Sequence, residues 1–268
     1  MEEKRKLMDR RKFLVRGASF LMGSLLGLNT FSRAFACNEN YKTSLLQPCI
    51  ALIIDDIGCS VRRARQFLEL GAPITFAVLP RLSWSEKLAF EIHSEGHEIM
   101  LHQPMEPIDS RINPGPGALY AGDAPGRITK VLEENISAVP FAKGVNNHMG
   151  SRFTACEREM FEALEIVKGN GLFFVDSLTT NRSKGYKTAR KLHIPSAARN
   201  IFLDNRLDLP DILNQLRRLK KIALKYGHSI AIGHPFPETA RAIGLFLGED
   251  IKHSNIKLVH ISSLVLSK

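Results

Sequence analysis

The chain has 268 residues, of which 44% are hydrophobic and 24% are charged, and this balance excludes a disordered or fibrous protein. Of the net charge of +10, residues 1–36 contribute +5 through eight basic and three acidic side chains, so the remaining 232 residues also carry +5. That modest, dispersed charge gives no case for nucleic-acid binding, and no apolar run reaches the ~18 residues that a membrane span needs.

The first 36 residues have the features of an export signal. A basic stretch and a moderately apolar segment precede Ala34-Phe35-Ala36, which matches the small-x-small pattern that signal peptidases cleave. Residues 9–15 resemble the twin-arginine motif, although the usual basic residue after Phe-Leu is missing. We therefore predict a twin-arginine-like signal peptide over residues 1–36, a linker over residues 37–48, and a periplasmic or secreted location.

From residue 49 onward the hydropathy pattern alternates between strands and helices. Ile50–Ile54 is a continuous, β-branched apolar run, typical of a strand covered on both faces, and apolar residues then recur at helical spacing until Gly71. About eight strands are predicted in this way. The other predicted strands are Ile74–Leu79, Glu98–Leu101, Leu172–Val175, a short strand near His193, Ile201–Leu203, Ser229–Ile232 and Lys257–Ile261, with helices between most of them.

This repetition of strand and helix predicts a parallel sheet. With about eight strands, we predict an α/β fold, an irregular (β/α) barrel rather than an open doubly wound sheet, as a single domain over residues 49–268. A long loop over residues 103–127 holds five prolines and four glycines. Loops of that length inside a domain are often functional, so we expect it to face a substrate, with a variable surface insertion as the alternative.

Ionisable side chains follow five of the predicted strands, at the end where parallel α/β folds place their chemistry. They are Asp55, Asp56, His102, Asp176, Asp204 and His234. Each one alone is more typical of a helix cap or a structural group, but the five strand ends converge if the sheet closes. Clustered Asp and His side chains suit zinc or a similar divalent ion. His148, in a polar turn that contains glycine, is a credible third ligand.

Five short motifs, in their order along the chain, resemble those of one known family. They are IDDIG at 54–58, TFAVLP at 75–80, GHEIMLHQPMEP at 96–107, NHMGS at 147–151 and GHP at 233–235. The chain is similar in these motifs to the divergent polysaccharide deacetylases, a branch of the carbohydrate esterase superfamily with the NodB-type fold. The resemblance runs from about Cys49 to Leu264 and implies a NodB-like barrel.

The resemblance also implies roles for individual residues. Asp55 matches the general base of the superfamily, Asp56 matches a metal ligand, and His102 matches the first His of the metal-binding motif. The chain departs from the pattern four residues later, where Glu106 stands in place of the second His. His148 would then complete a ligand set of Asp56, His102 and His148.

Four further residues have subsidiary predicted roles. His234 occupies the position of the superfamily's acid, although its Gly-His-Pro context differs from the usual motif. Glu106 is a candidate fourth ligand or outer acceptor. Asp176 and Asp204 are candidates to orient His234 or a ligand histidine, with helix capping as the equal alternative.

These predictions favour an exported, metal-dependent hydrolase, with Zn²⁺ as its expected ion, that removes N-acetyl groups from an envelope or extracellular polysaccharide. The missing second His motivates an alternative, a catalytically degenerate barrel that binds glycan or an envelope protein without turnover. A third hypothesis is a metal-dependent hydrolase of another bond, because the fold and its ligands do not determine the substrate. We expect a polysaccharide substrate, no nucleic-acid partner and no membrane span, and the sequence does not indicate an oligomeric state.

Overall fold

The computed structural model describes residues 47–265, so the predicted signal peptide and most of the predicted linker lie outside the described residues. Within that range, the strands are β1 (Cys49–Ile57), β2 (Thr75–Val78), β3 (Glu98–Met105), β4 (Ala142–Met149), β5 (Phe173–Asp176), β6 (Ser196–Ala198), β7 (Ile201–Phe202), β8 (His228–Gly233) and β9 (Lys257–Leu258). The α-helices are α1 (Val61–Leu68), α2 (Ser85–Ser94), α3 (Pro125–Ser137), α4 (Glu157–Gly169), α5 (Gly185–Lys191), α6 (Leu209–Tyr226) and α7 (Pro237–Phe246). No helix between residues 47 and 265 combines the length and the apolar character that crossing a bilayer requires.

The strands form one parallel sheet in the order β6-β5-β4-β3-β2-β1-β8-β7, and β9 pairs with the start of β1. The two edge strands, β6 and β7, are joined by only Arg199 and Asn200, so the sheet must curl until its edges approach. The backbone N–H of Arg199 donates to the carbonyl of Asp176 in β5, and that of Asn200 donates to the carbonyl of Ile230 in β8, so this connection bonds to strands near both ends of the sheet. The predicted α/β class and irregular (β/α) barrel are therefore confirmed.

The two faces of the curled sheet bury different sets of apolar side chains. Along β1, Ile50, Leu52 and Ile54 pack toward the surrounding helices. Ala51 and Ile53 pack inside the barrel with residues such as Met100, Val175 and Ile232. Because side chains alternate along a strand, the next inward position after Ile53 is Asp55. The interior thus changes from apolar to ionisable toward the carboxyl ends of the strands.

The structure corrects the prediction between residues 98 and 149. The strand predicted to stop at Leu101 continues to Met105, so His102 lies within β3 and not after it. The segment predicted as a turn around His148 is the end of β4, which hydropathy did not reveal. The inward positions of β4 are Gly144, Asn146 and His148. Because these residues are not apolar, the strand has no apolar run that hydropathy could detect. Helix α3 was also missed, and it shortens the predicted loop of residues 103–127.

Candidate functional site

Three side chains from strands β1, β3 and β4 meet at the carboxyl end of the barrel. They are Asp56 of β1, His102 of β3 and His148 of β4, and each offers one ligand atom to a common group. Asp56 Oδ1 lies 3.2 Å from His102 Nε2 and 2.9 Å from His148 Nδ1. The two histidine nitrogens are 3.2 Å apart. The structure therefore brings together the three residues that the sequence analysis named as ligands.

A local irregularity in β1 turns Asp56 toward this group. Asp55 already faces the interior, and in a regular strand its neighbour would point to the opposite face. The register between β1 and β2 shifts between Ile54 and Ile57, and Asp56 has a left-handed backbone with φ of 57°. A bulge of this kind re-aims a side chain, and a left-handed aspartate costs strain that recurs at functional sites. Both members of the Asp pair can therefore serve one site.

Hydrogen bonds behind His102 determine which of its nitrogens carries a proton. The Asn146 Nδ2 amide donates to Asp55 Oδ1 at 2.8 Å, so Asn146 Oδ1 is left as an acceptor. His102 Nδ1 lies 2.8 Å from that oxygen and must donate to it. In the neutral ring, Nε2 then presents its lone pair to Asp56 and His148. This is the form in which an imidazole binds a metal.

The spacing and chemistry of the Asp56-His102-His148 group fit a divalent ion. Ligand atoms of a tetrahedral zinc site with bonds of about 2.0–2.2 Å lie roughly 3.4 Å apart, close to the separations found here. Asp56 Oδ1 is buried and lacks a hydrogen-bond partner, although both histidine nitrogens lie near it. A buried, unpartnered carboxylate oxygen is costly unless a cation neutralises it.

The electrostatics of the group also favour positive charge. Burial raises the pKa of Asp56, but its contacts with His102 and His148 outweigh that effect and hold the pKa well below its usual range. Burial lowers the pKa of His102, but the charges of Asp55 and Asp56 outweigh it and raise this pKa. Without a metal, the two carboxylates favour a proton on His102. A divalent ion would supply that positive charge instead.

Asp55 is a fully enclosed carboxylate beside the group. Its Oδ1 accepts from Asn146, while its Oδ2 faces the group at 3.6 Å from His102 Nε2. Burial raises the pKa of Asp55, and the nearby imidazoles of His102 and His234 oppose that rise. Asp55 is suited to accept a proton, because Asn146 holds one of its oxygens, the other faces the group, and its pKa is raised.

A third histidine, His234, follows β8, which pairs with β1 on the side opposite β2. Its Nδ1 lies 2.9 Å from Asp204 Oδ1, and its backbone N–H donates to Asp204 Oδ2 at 2.6 Å. Thr239 Oγ1 donates to the same carboxylate at 2.8 Å. Burial lowers the pKa of His234, but the bond to Asp204 and the charges of Asp204, Asp55 and Asp56 raise it to about 9. His234 is thus a positively charged group near neutrality.

A cavity of about 160 Å³ lies beside Asp56 and His234. Both residues line it, so one member of the Asp56-His102-His148 group and the charged imidazole face the same space. The rest of its wall comes from the turn after β1 and from the residues after His234. The lining residues are Asp56, Ile57, Cys59, Ser60, Arg63, His234, Pro235 and Phe236.

Two of the predicted additional residues lie outside the group. Glu106 accepts from the backbone N–H of Ala121 at 2.8 Å and pairs with Arg152 at 3.0 Å, so it anchors the loop after β3. Asp176 accepts from the backbone N–H groups of Leu178 and Tyr186 and from Ser183. Both carboxylates therefore stabilise loops and the start of a helix. Asp204, in contrast, contacts His234.

Asn146 is the site residue that the sequence analysis did not assign. It is completely buried and links Asp55 to His102 through one side chain. A signal for it was present, because it lies two residues before His148 and therefore on the same face of a strand. That signal could be used only if residues 142–149 were recognised as a strand.

The match to a family model covers most of the barrel. The model of the divergent polysaccharide deacetylases matches residues 52–265. The chain belongs to the divergent polysaccharide deacetylase family. The family resemblance inferred from the five motifs is thereby confirmed, and the ligand group, Asp55 and His234 all lie within the matched range.

Relatives of this deacetylase family member share its sequence and its fold. An uncharacterised Escherichia coli K12 protein is 31% identical over 210 residues, which are 78% of this chain and 66% of that protein, or just under two-thirds of its length. The structure of an uncharacterised protein from Agrobacterium tumefaciens C58 has a TM-score of 0.78 at 25% identity, covering 82% of this chain and 90% of that one. A family 4 carbohydrate esterase from Streptomyces lividans, solved with acetate, shares the fold with a TM-score of 0.51 at 12% identity, covering 82% and 96%.

Proposed function

We propose that this protein is an exported, metal-dependent hydrolase that removes N-acetyl groups from an envelope or extracellular polysaccharide. The observation that carries the proposal is that Asp55 lies beside the Asp56-His102-His148 group and that His234 lines the same cavity as Asp56. Family membership supports a carbohydrate substrate. Zinc is the ion we expect first, because one carboxylate and two imidazoles are a zinc-type ligand set.

Hydrolysis of an acetamide needs three contributions. The carbonyl must be polarised, water must lose a proton near neutral pH, and the departing amine must gain one. A divalent ion held by Asp56, His102 and His148 would polarise the carbonyl and lower the pKa of water. The two proton transfers are then left to side chains of the barrel.

Asp55 is the group that we assign as general base. Its Oδ1 is held by Asn146, which leaves Oδ2 directed toward the ligand group. A positioned base of this kind contributes about 10²- to 10⁴-fold to a rate. Because burial raises the pKa of Asp55, its carboxylate is a stronger base than an exposed one.

His234 is the group that we assign as general acid. Asp204 binds Nδ1, so Nε2–H is the donor left for a substrate amine. Its pKa of about 9 keeps the imidazole protonated at neutral pH. The proton is thus available when the C–N bond breaks, and Asp204 stabilises the charge until transfer occurs.

Export is proposed from the amino-terminal sequence. Three features support a twin-arginine-like signal peptide and a periplasmic or secreted destination. They are the paired Arg10 and Arg11, an apolar segment interrupted by Gly and Ser, and Ala34-Phe35-Ala36. Such a location would place the protein beside envelope polysaccharides.

A second candidate function follows from Glu106. This residue replaces the second His of the related metal motif, and its carboxylate is committed to Ala121 and Arg152. If His148 does not compensate for that loss, the protein would bind glycan or an envelope protein without turnover. The two functions differ in whether acetate is released.

The decisive experiment measures bound zinc and acetate release from chitotetraose by the wild type and by Asp55→Asn. We expect about one zinc per chain in both proteins and a loss of acetate release of about 10²- to 10⁴-fold in the variant. Asp109→Asn, on an exposed loop, is the matched control and should retain activity. Glycan binding without acetate release by the wild type would instead support the binding protein.

A further inference from the structure

The proposed role of His234 as general acid determines how a substrate would be oriented at the cavity beside Asp56. In an N-acetylated sugar, the amine nitrogen lies between the scissile carbonyl and the sugar ring. If His234 protonates that nitrogen, the ring must lie on the His234 side of the ligand group. The cavity lies on that side, because His234 lines it together with Pro235, Phe236, Cys59, Ser60 and Arg63.

The size and lining of the cavity suit one sugar unit. Its volume of about 160 Å³ is smaller than the ~300 Å³ or more of pockets that enclose drug-sized ligands. Phe236 and Pro235 supply apolar surface for the C–H face of a pyranose. One sugar unit of the substrate would therefore lie against these residues.

Arg63 gives this cavity a positive charge. Its guanidinium has no carboxylate partner among residues 47–265 and lies over the Phe236 ring, 6.0 Å from its centroid. The other cation of the wall, His234, is already paired with Asp204. Arg63 also has no task in capping α1, because Ser60 Oγ accepts from its backbone N–H and not from its side chain.

We infer that Arg63 binds a carboxylate on the substrate, so that the preferred substrate is an acidic N-acetylated amino sugar and not a neutral one. This inference rests on the proposed function, because the direction of the sugar is taken from the role of His234. A guanidinium presents a planar pair of N–H donors that matches a carboxylate, and such charge-assisted bonds are about twice as strong as neutral ones. The substituent would be carried by the sugar that is deacetylated or by its neighbour.

The test compares a ligand that carries charged carboxylates with its uncharged amide. A tetrasaccharide of alternating N-acetylglucosamine and N-acetylmuramic acid is used with its lactyl carboxylates free and as methyl amides. Binding is measured by calorimetry to zinc-loaded full-length Asp55→Asn, in which turnover is slow. We expect the acid to bind about tenfold more tightly than the amide, with a preference that weakens as salt is added.

Arg63→Gln in the same background should remove the preference for the acid over the amide. Arg63→Lys keeps the charge without the planar donors and should retain part of the preference. Arg62→Gln is the matched control, because Arg62 is exposed on the same helical turn and does not line the cavity. It should bind both ligands like the parent protein.

The outcomes separate this inference from the proposed function. Equal binding of acid and amide, a preference that survives Arg63→Gln, or no binding of either ligand would overturn the inference. The proposed function is tested separately. Acetate release by the wild-type protein is measured on chitotetraose and on both muramic ligands. An Arg63-dependent preference without any acetate release would overturn the hydrolase and retain the acidic-glycan site.

Discussion

The two histidine sites of the barrel differ in where negative charge lies relative to the imidazole. At His102, the carboxylates of Asp56 and Asp55 lie in front of Nε2, at 3.2 and 3.6 Å, and a neutral amide, Asn146, lies behind. At His234, the carboxylate of Asp204 lies behind the ring at Nδ1. Carboxylates at Nε2 of His102 attract a cation to that nitrogen. A carboxylate at Nδ1 of His234 keeps the ring protonated, while its Nε2–H stays free to donate.

In the proposed hydrolase, this difference gives one residue type two roles within one site. The partner of Nδ1 decides the role, because an amide oxygen determines the tautomer without adding charge and a carboxylate raises the pKa. Binding a metal and donating a proton are therefore assigned by residues behind the histidines. Changing those residues, or the ligands themselves, should alter the two sites in different ways.

The largest effect is expected for His148→Ala. Direct loss of a ligand should weaken zinc binding by more than the about 10- to 100-fold that outer residues contribute, and acetate release should fall with it. The side chain is partly exposed at the rim, so the fold should tolerate its removal. Zinc affinity is measured by competition with a chelator, and His228→Ala, an exposed position at the start of β8, is the control. Undiminished zinc affinity in His148→Ala would remove this residue from the ligand set.

Asn146→Ala should show the next largest effect. Without its amide, His102 loses the acceptor that determines its tautomer, and zinc affinity should fall about 10- to 100-fold. Asn146→Asp keeps an acceptor for His102 and should retain more affinity than the alanine variant. Asn113→Ala, on the loop after β3, controls for the change of residue type. If both variants at residue 146 bind zinc like the wild type, the amide does not position His102.

Asp204→Asn should change the pH dependence without removing zinc. The carboxylate raises the pKa of His234 to about 9, so activity that needs the protonated imidazole should fall as pH rises through that value. In the variant, the decline should move toward the ordinary pKa of about 6.5. The profile of acetate release against pH measures this shift, and Asp208→Asn at the start of α6 is the control. An unchanged alkaline limb would show that His234 is not the acid.

The same pair makes folding stability depend on pH. Because the pKa of His234 is raised in the folded protein, its stabilising contribution is present in full below about 6.5 and is lost as pH rises through about 9. Thermal unfolding at pH 6 and pH 10 should therefore show a larger difference for the wild type than for Asp204→Asn. Equal differences would contradict the ion pair.

The smallest effect is expected for Glu106→Gln. This carboxylate pairs with Arg152 outside the ligand group, and Arg152 is half exposed. The variant should lose about 0.5 to 1 kcal/mol of unfolding free energy, as is usual for such pairs, with zinc affinity within twofold of the wild type. Chemical unfolding and chelator competition measure the two quantities. A large loss of zinc affinity would restore Glu106 to the site as a ligand.

Much of the fold followed from local patterns, since buried parallel strands and amphipathic helices have distinct apolar spacings. The resemblance also predicted Asp56 and His102 as ligands, with His148 in place of the missing second His, and the structure brings these three residues together. The pattern failed at β4, where Gly144, Asn146 and His148 replace inward apolar residues. A strand whose interior side is the site itself has no hydropathy signal, and Asn146 was missed for this reason.

The sequence by itself therefore determined the alternating architecture, the family and the residue types available for chemistry. Only the tertiary structure decided which of them act together. A bulge with a left-handed backbone turned Asp56 toward the histidines, and contacts 91 and 30 residues apart joined Asn146 to Asp55 and His234 to Asp204. Contacts with Ala121 and Arg152 kept Glu106 away from them. These choices depend on closure of the sheet, because residues far apart in the chain become neighbours only when its strands lie side by side.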